Sequence, residues 1–196
     1  IHRPPLTEAQ VCAWIGNGAR LLVARALAGE RDITVEPPAT DDAVARFFVH
    51  YHDCLCEHSR LYPGVREGLD RLRSMGLPMG VVTNKPAAFT TPLMEALGID
   101  GYFGVAVSGD TLGVKKPDPA PLIHAAECLG VAIEDCLYVG DSAADRTAAE
   151  AAGSPLVRVP YGYPGDDAIF ADYPAAMTLT VDQLATGLAT ESRKMP

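Results

Sequence analysis

Along the first sixty residues apolar positions recur at helical spacing; beyond residue 62 they gather into short runs separated by amphipathic stretches. Thr7, with Gln10 three residues later, predicts a capped helix through Val11, Trp14 and Ile15. After the Gly16-Asn17-Gly18 break, Leu21, Leu22, Arg25, Ala26 and Ala28 predict a second helix that stops at Gly29. Pro37 and Pro38 interrupt the chain, and Asp41 to about Arg60 predicts a third helix with Val44, Phe47, Phe48, Tyr51 and Leu55 on one stripe. From Tyr62 the pattern predicts helix Val65–Met75 ending near Gly76, a buried strand Pro78–Thr83, helix Ala87–Leu97, strand Phe103–Val107 and a helix opened by Pro119 that reaches Leu129. Strand Cys136–Val139, helix Ala143–Ala152 and strand Leu156–Val159 follow, with a weaker pair at the end, strand Met177–Thr180 and helix Val181–Leu188. Strands alternating with helices predict an α/β chain, a doubly wound parallel sheet over residues 62–196, with a small all-helical unit over residues 1–61.

Composition narrows the partners. The 196 residues are 48% hydrophobic and 21% charged, which suits a globular chain with a core. Lys and Arg number 16 against 25 Asp and Glu, a formal net charge of −9, so a nucleic-acid partner is not expected and an anionic substrate needs local compensation by a metal or placed cations. No apolar stretch approaches the roughly 18 to 20 residues that span a bilayer, and no secretory pattern opens the chain. The expectation is a soluble cytoplasmic protein with no membrane partner; its oligomeric state is not legible. Five cysteines without a CxxC pair argue against a disulfide framework, and Cys128 and Cys136 read as small buried apolar residues.

In a parallel sheet the residues just past each strand gather on one rim, where ligands bind. Thr83, Asn84 and Lys85 follow one predicted strand, Ser108, Gly109 and Asp110 the next, and Gly140, Asp141 and Ser142 the third. In GDSAAD (140–145) Asp141 and Asp145 lie one helical turn apart, which suits a hard cation such as Mg2+ and equally suits an acidic helix cap. Lys116 in KKPDPAP (115–121) precedes a helix start and can face an anion, or can belong to a solvated loop. Thr83 and Asn84 offer neutral donors to phosphate oxygens, or simple turn chemistry. Together they make a phosphate-plus-Mg2+ site.

These segments carry a resemblance. VVTNKP (81–86), SGDTLGVKKPDPAPL (108–122) and LYVGDSAADRTAAEAAG (137–153) resemble the second, third and fourth motifs of the haloacid dehalogenase (HAD) superfamily. WIGNGARLLVARAL (14–27), YPGV (62–65) and YGY (161–163) resemble the helical cap and core of bacterial phosphoglycolate phosphatases. The resemblance implies a HAD-like core with a helical cap domain and Mg2+-dependent hydrolysis of a small phosphorylated metabolite, first of all 2-phosphoglycolate, through an aspartyl-phosphate. It implies that Thr83 and Asn84 bind the transferring phosphoryl group, that Lys116 neutralises nucleophile and phosphate, that Asp141 ligates Mg2+ and that Asp145 supports it. Gly16, Asn17 and Gly18 would reach over the site from the cap, with Arg20 a candidate for the substrate's carboxylate.

The superfamily's first motif, a DxDGT-like stretch that supplies the nucleophile at the end of a central strand, is not in these 196 residues, which begin at Ile1. The expectation is a chain lacking its natural N-terminus by about 25 to 40 residues, with the nucleophile on that segment, and inactive as it stands. The alternatives are a catalytically inactive HAD-like binding or regulatory protein, another HAD phosphatase, or a phosphosugar mutase. HYHDCLCEH (50–58) suggests zinc only if extended: on a helix His50, Cys54 and His58 span about 12 Å of one stripe and cannot close a tetrahedral site. Trp14, Phe47 and Phe48 read as packing rather than substrate stacking.

Overall fold

Residues 5–15, 17–163, 170–174 and 177–192 are described by a computed structural model of the chain. Three helices open it: α1 (Glu8–Trp14), α2 (Ala19–Ala28) and α3 (Thr40–Cys54). The capping box forms as the sequence predicts, Gln10 N donating to Thr7 Oγ1 at 3.3 Å and Thr7 N to Gln10 Oε1 at 2.9 Å. Gly29 ends α2 in the left-handed conformation with φ 79°. The third helix is shorter than its predicted span to about Arg60. It stops at Cys54, and a turn with Glu57 N donating to Cys54 O carries Leu55 inward, where it is 7% exposed. His58 therefore leaves the helix, and His52 and His58 are both well exposed.

The remaining helices and strands alternate: α4 (Val65–Ser74), β1 (Gly80–Val82), α5 (Ala87–Ala96), β2 (Val105–Val107), α6 (Ala120–Leu129), β3 (Tyr138–Gly140), α7 (Ala143–Ala152), β4 (Leu156–Arg158) and α8 (Val181–Ser192). All pairing is parallel. Gly80, Val81 and Val82 face Val105, Ala106 and Val107, while Tyr138, Val139 and Gly140 face Leu156, Val157 and Arg158. The crossovers are α5 and α7, as the alternation requires. Two sequence expectations change here. The ladders are separate two-stranded sheets among the described residues, and the β1 run, expected to be buried, is exposed at Gly80 and half-buried at Val81 and Val82. Each three-residue strand has one partner, so its other edge and part of its faces stay accessible. The expected strand Met177–Thr180 reduces to a bridge between Thr178 and Arg158, with Leu179 N donating to Arg158 O at 2.9 Å.

A common core joins the ladders. Leu122 of α6, Ala148 and Ala149 of α7, Leu156 of β4 and Phe170 form the buried cluster, and Val82 of β1 and Tyr138 of β3 pack against it. Alanines on α7 let it approach closely, since a larger side chain at a fully buried position would overpack the core. Helix α8 returns to α4, where a Cβ at Gly68 would stand 2.8 Å from the Val181 backbone. Tyr161 stacks on Tyr62 with ring centroids 4.4 Å apart, bringing the YGY and YPGV segments together. The cysteine expectation fails: Cys128 is exposed, near His124 on the outer face of α6, and Cys136 is half-buried. Both fall where the helix or turn faces outward, a periodicity their apolar character alone does not reveal. No described helix is long and apolar enough to cross a membrane.

Candidate active site

The carboxyl ends of β1 and β3 and the loop before α6 open into a cleft of about 730 Å³, closed on the other side by α1, α2 and α3. Thr83, Asn84, Lys116, Asp141 and Asp145 line it from the α/β part, and Asn17 and Gly18 from the helical part. Gly16 lies outside the described residues. Thr83 leaves β1 with its N–H on Val107 O (2.9 Å), and its hydroxyl accepts the N–H of Lys85 (3.1 Å). Asn84 Nδ2 donates to Lys116 O (2.8 Å), tying two loops together. The facing loop must carry glycine at 109, because a Cβ there would sit 2.3 Å from Asn84 O.

Lys116 is buried, and its ammonium donates to Asp145 Oδ1 (2.7 Å), Val82 O (2.9 Å) and Tyr138 OH (2.9 Å). It thus bridges the end of β1 to β3 and α7. Asp145 is saturated: Oδ1 takes Lys116 and the Tyr138 hydroxyl (3.0 Å), and Oδ2 takes Asp141 N (3.2 Å), Ser142 N (3.0 Å) and Ser142 Oγ (2.7 Å). Burial works to raise its pKa, but the Lys116 charge and the hydrogen bonds outweigh it and hold the carboxyl below its ordinary range. Asp145 is therefore the reciprocal partner of the α7 capping box with Ser142 and the anchor of Lys116. The even pair of carboxylates that the spacing suggests is not what forms, because helix geometry turns Asp145 back onto its own N-terminus.

Asp141 is the other kind of carboxylate. Its Oδ2 accepts the backbone N–H of Tyr163 (2.9 Å), and burial, followed by the repulsion of Asp145, raises its pKa despite that bond. A group that gains proton affinity by burial next to a cleft is stabilised by an arriving cation. Asp141 could thus serve a hard cation as an oxygen ligand. Among the described residues no three His, Cys, Asp or Glu side chains converge on a metal-binding cluster.

The helical part departs from expectation at Arg20. Its guanidinium binds Glu36 (2.7–3.1 Å) and Asp41 (2.8 Å) on the outer side of the helices, and it does not line the cleft. The cleft wall is instead aromatic: Phe47, Phe48 and Tyr51 of α3 meet Phe89 of α5, with Phe48 and Phe89 stacked at 5.0 Å. The α3 aromatics both pack and face the ligand space, two roles that periodicity cannot separate. Tyr138 has no place among the sequence candidates, and Lys85 and Tyr163, named on the rim and in the YGY segment, had no role assigned. Only Tyr138 carries a usable signal, since a tyrosine in a strand facing the core needs a partner for its hydroxyl.

Comparison with known proteins gives the family. Residues 3–153 match the haloacid dehalogenase-like hydrolase family. A phosphoglycolate phosphatase of Thiobacillus denitrificans is 45% identical over 163 residues, 83% of this chain and 72% of the relative. One from Escherichia coli K12 is 40% identical over 204 aligned positions, 96% of this chain and 81% of the relative. A crystal structure described as a predicted phosphoglycolate phosphatase from Haemophilus somnus superposes with a TM-score of 0.80 at 33% identity, covering 97% of this chain and 84% of that one.

Proposed function

The chain belongs to the haloacid dehalogenase-like hydrolase family, and from that premise we propose that it takes part in the Mg2+-dependent hydrolysis of a small phosphate monoester, with 2-phosphoglycolate the first candidate. One observation carries the reading: a buried ammonium, Lys116, clamped by Asp145 in the same cleft as Asp141 and the Thr83 hydroxyl. Asp145 and Tyr138 fix the Lys116 ammonium at the end of β1, so positive charge is in place before any phosphate arrives. Preorganised charge is the main contribution a protein makes to phosphoryl transfer. Thr83 and Asn84 donate to phosphate oxygens, and Asp141, held by the Tyr163 amide, offers its carboxylate to the metal. Mg2+ held at Asp141 would supply neutralisation of negative charge on the phosphate. Asn17, Gly18 and the α3 aromatics line the side of the cleft where the organic part would lie.

The aspartyl-phosphate route needs a carboxylate nucleophile, and Asp145, saturated by hydrogen bonds, is unsuited to it. The name shared by the Thiobacillus and Escherichia relatives supports 2-phosphoglycolate, and a cytoplasmic location accords with a substrate of that kind. The test is phosphate release from a panel of phosphomonoesters by the full-length protein, with and without Mg2+. Turnover of 2-phosphoglycolate that requires the metal is expected, and Lys116→Ala and Asp141→Asn should each lower it by about 100-fold or more, as for other electrostatic catalytic groups. Turnover within a few-fold of the parent in both variants would show that the chemistry lies elsewhere.

A further inference from the structure

The positive groups of the cleft are not equivalent. Lys116 is engaged by Asp145, Arg25 donates to the carbonyls of Trp14 and Arg31, Arg31 lines the cleft with a partner of its own, and the Lys115 ammonium stands beside Gly18 at the edge of the cleft. Lys85 differs. It lines the cleft two residues past Thr83, half-buried, and its ammonium donates to the hydroxyl of Tyr51 on α3 while lying 4.5 Å from the centroid of that ring. Among the described residues no carboxylate comes within ion-pairing distance of it. A neutral phenol does not compensate an ammonium, and Phe47, Phe48 and Phe89 around the pair lower the local dielectric, which strengthens any ion pair made there.

The geometry points to Lys85 as the receiver of a carboxylate on the organic part of the substrate, with the Tyr51 hydroxyl as a second donor. The inference rests on the phosphomonoesterase reading and deepens it: the substrate class is small phosphomonoesters that carry a carboxylate within reach of the lip that also holds Thr83. An arriving carboxylate accepts charge-assisted hydrogen bonds from Lys85 Nζ and from Tyr51 O–H, one donor from each side of the cleft. A neutral alcohol phosphate leaves Lys85 facing only the phenol, and a site built for a polar group discriminates against the analogue that lacks it.

Binding of two non-hydrolysable phosphonates to the full-length protein with Mg2+, followed by calorimetry, tests this without relying on turnover. 3-Phosphonopropionate carries the carboxylate and propylphosphonate does not. The first should bind about tenfold more tightly or better, the scale of a hydrogen bond to a charged group. Lys85→Met should remove most of that margin, Lys85→Arg should keep it, and Tyr51→Phe should reduce it. Lys85→Gln serves if the methionine variant does not fold. Equal affinity for the two phosphonates, no binding of either, or a margin that survives loss of the Lys85 charge overturns the assignment. Hydrolysis of 2-phosphoglycolate, assayed alongside, separates the two claims: turnover without the margin removes the role of Lys85, and a margin without turnover removes the phosphatase reading.

Discussion

Asp141 and Asp145 stand four positions apart on one motif and have opposite electrostatic fates. Asp145 is buried among donors and Asp141 is half-buried beside a cleft with backbone donors only, so one carboxyl is held low and the other raised. The position of Asp141 depends on a residue with no side chain. Gly162 has φ +125°, and a Cβ there would lie 2.0 Å from Asp141 Oδ2, a distance no side chain can occupy. Gly162→Ala is therefore expected to displace the carboxylate and weaken Mg2+ binding by about 10- to 100-fold, the usual effect of disturbing the support of a metal ligand. Calorimetric titration with Mg2+ reads this directly, and an unchanged affinity would mean that the Tyr161–Tyr163 loop does not position Asp141.

At the scale of elements, most of the pattern was legible because local signals and packing agree. The Thr7–Gln10 box, the Gly29, Gly130 and Gly153 stops and the Ser142 cap sit where the sequence places them. Boundaries that depended on burial were not legible. Nothing in the periodicity of residues 50–58 indicates that α3 would end at Cys54, nor that the outward faces of α6 and its neighbouring turn would carry the cysteines. The contact of α4 with α8 is also invisible along the chain, since it joins residues more than a hundred positions apart, among them Arg71 and Thr186 with a 2.6 Å hydrogen bond. Gly68→Ala pushes a methyl group into the Val181 backbone at 2.8 Å. The expected loss is about 1–3 kcal/mol of stability, the range for overpacking, measured by urea unfolding; a change within 0.5 kcal/mol would show that α8 shifts at no cost.

Over the whole molecule, the Lys116–Asp145–Tyr138 network does for the two ladders what strand pairing does not do among the described residues. It joins β1, β3 and α7 through buried polar groups. Removing one partner leaves a buried charge uncompensated, so Asp145→Asn should cost about 3–5 kcal/mol at neutral pH. The pH profile follows from the lowered carboxyl. Its contribution is complete above the unfolded value of about 4 and is lost as pH falls through the lower folded value, so the variant should show a flatter profile below about pH 4. Asp141 has the opposite sign: with its pKa raised, its charged form weakens the metal-free fold at neutral pH, and Asp141→Asn should stabilise it there while abolishing Mg2+ binding. Thermal unfolding between pH 3 and 8 without metal distinguishes the two; parallel profiles for both variants would contradict these assignments.

Residue order alone was enough for the α/β alternation, the rim on which Thr83, Lys116 and Asp141 gather, and the kinship of the motifs, because each depends on spacing within one element or on the turn that ends it. Tertiary structure decided which rim groups are consumed and which face the cleft. Arg20 was withdrawn by Glu36 and Asp41, Asp145 by its helix cap and Lys116, and Lys85 was set against Tyr51 from a helix more than thirty residues away. The physical reason is common to all three. A charged side chain's role is set by the partner that compensates it, and the charged or aromatic partner of each was brought by the packing of other elements, with only Asp145 adding donors from its own helix cap.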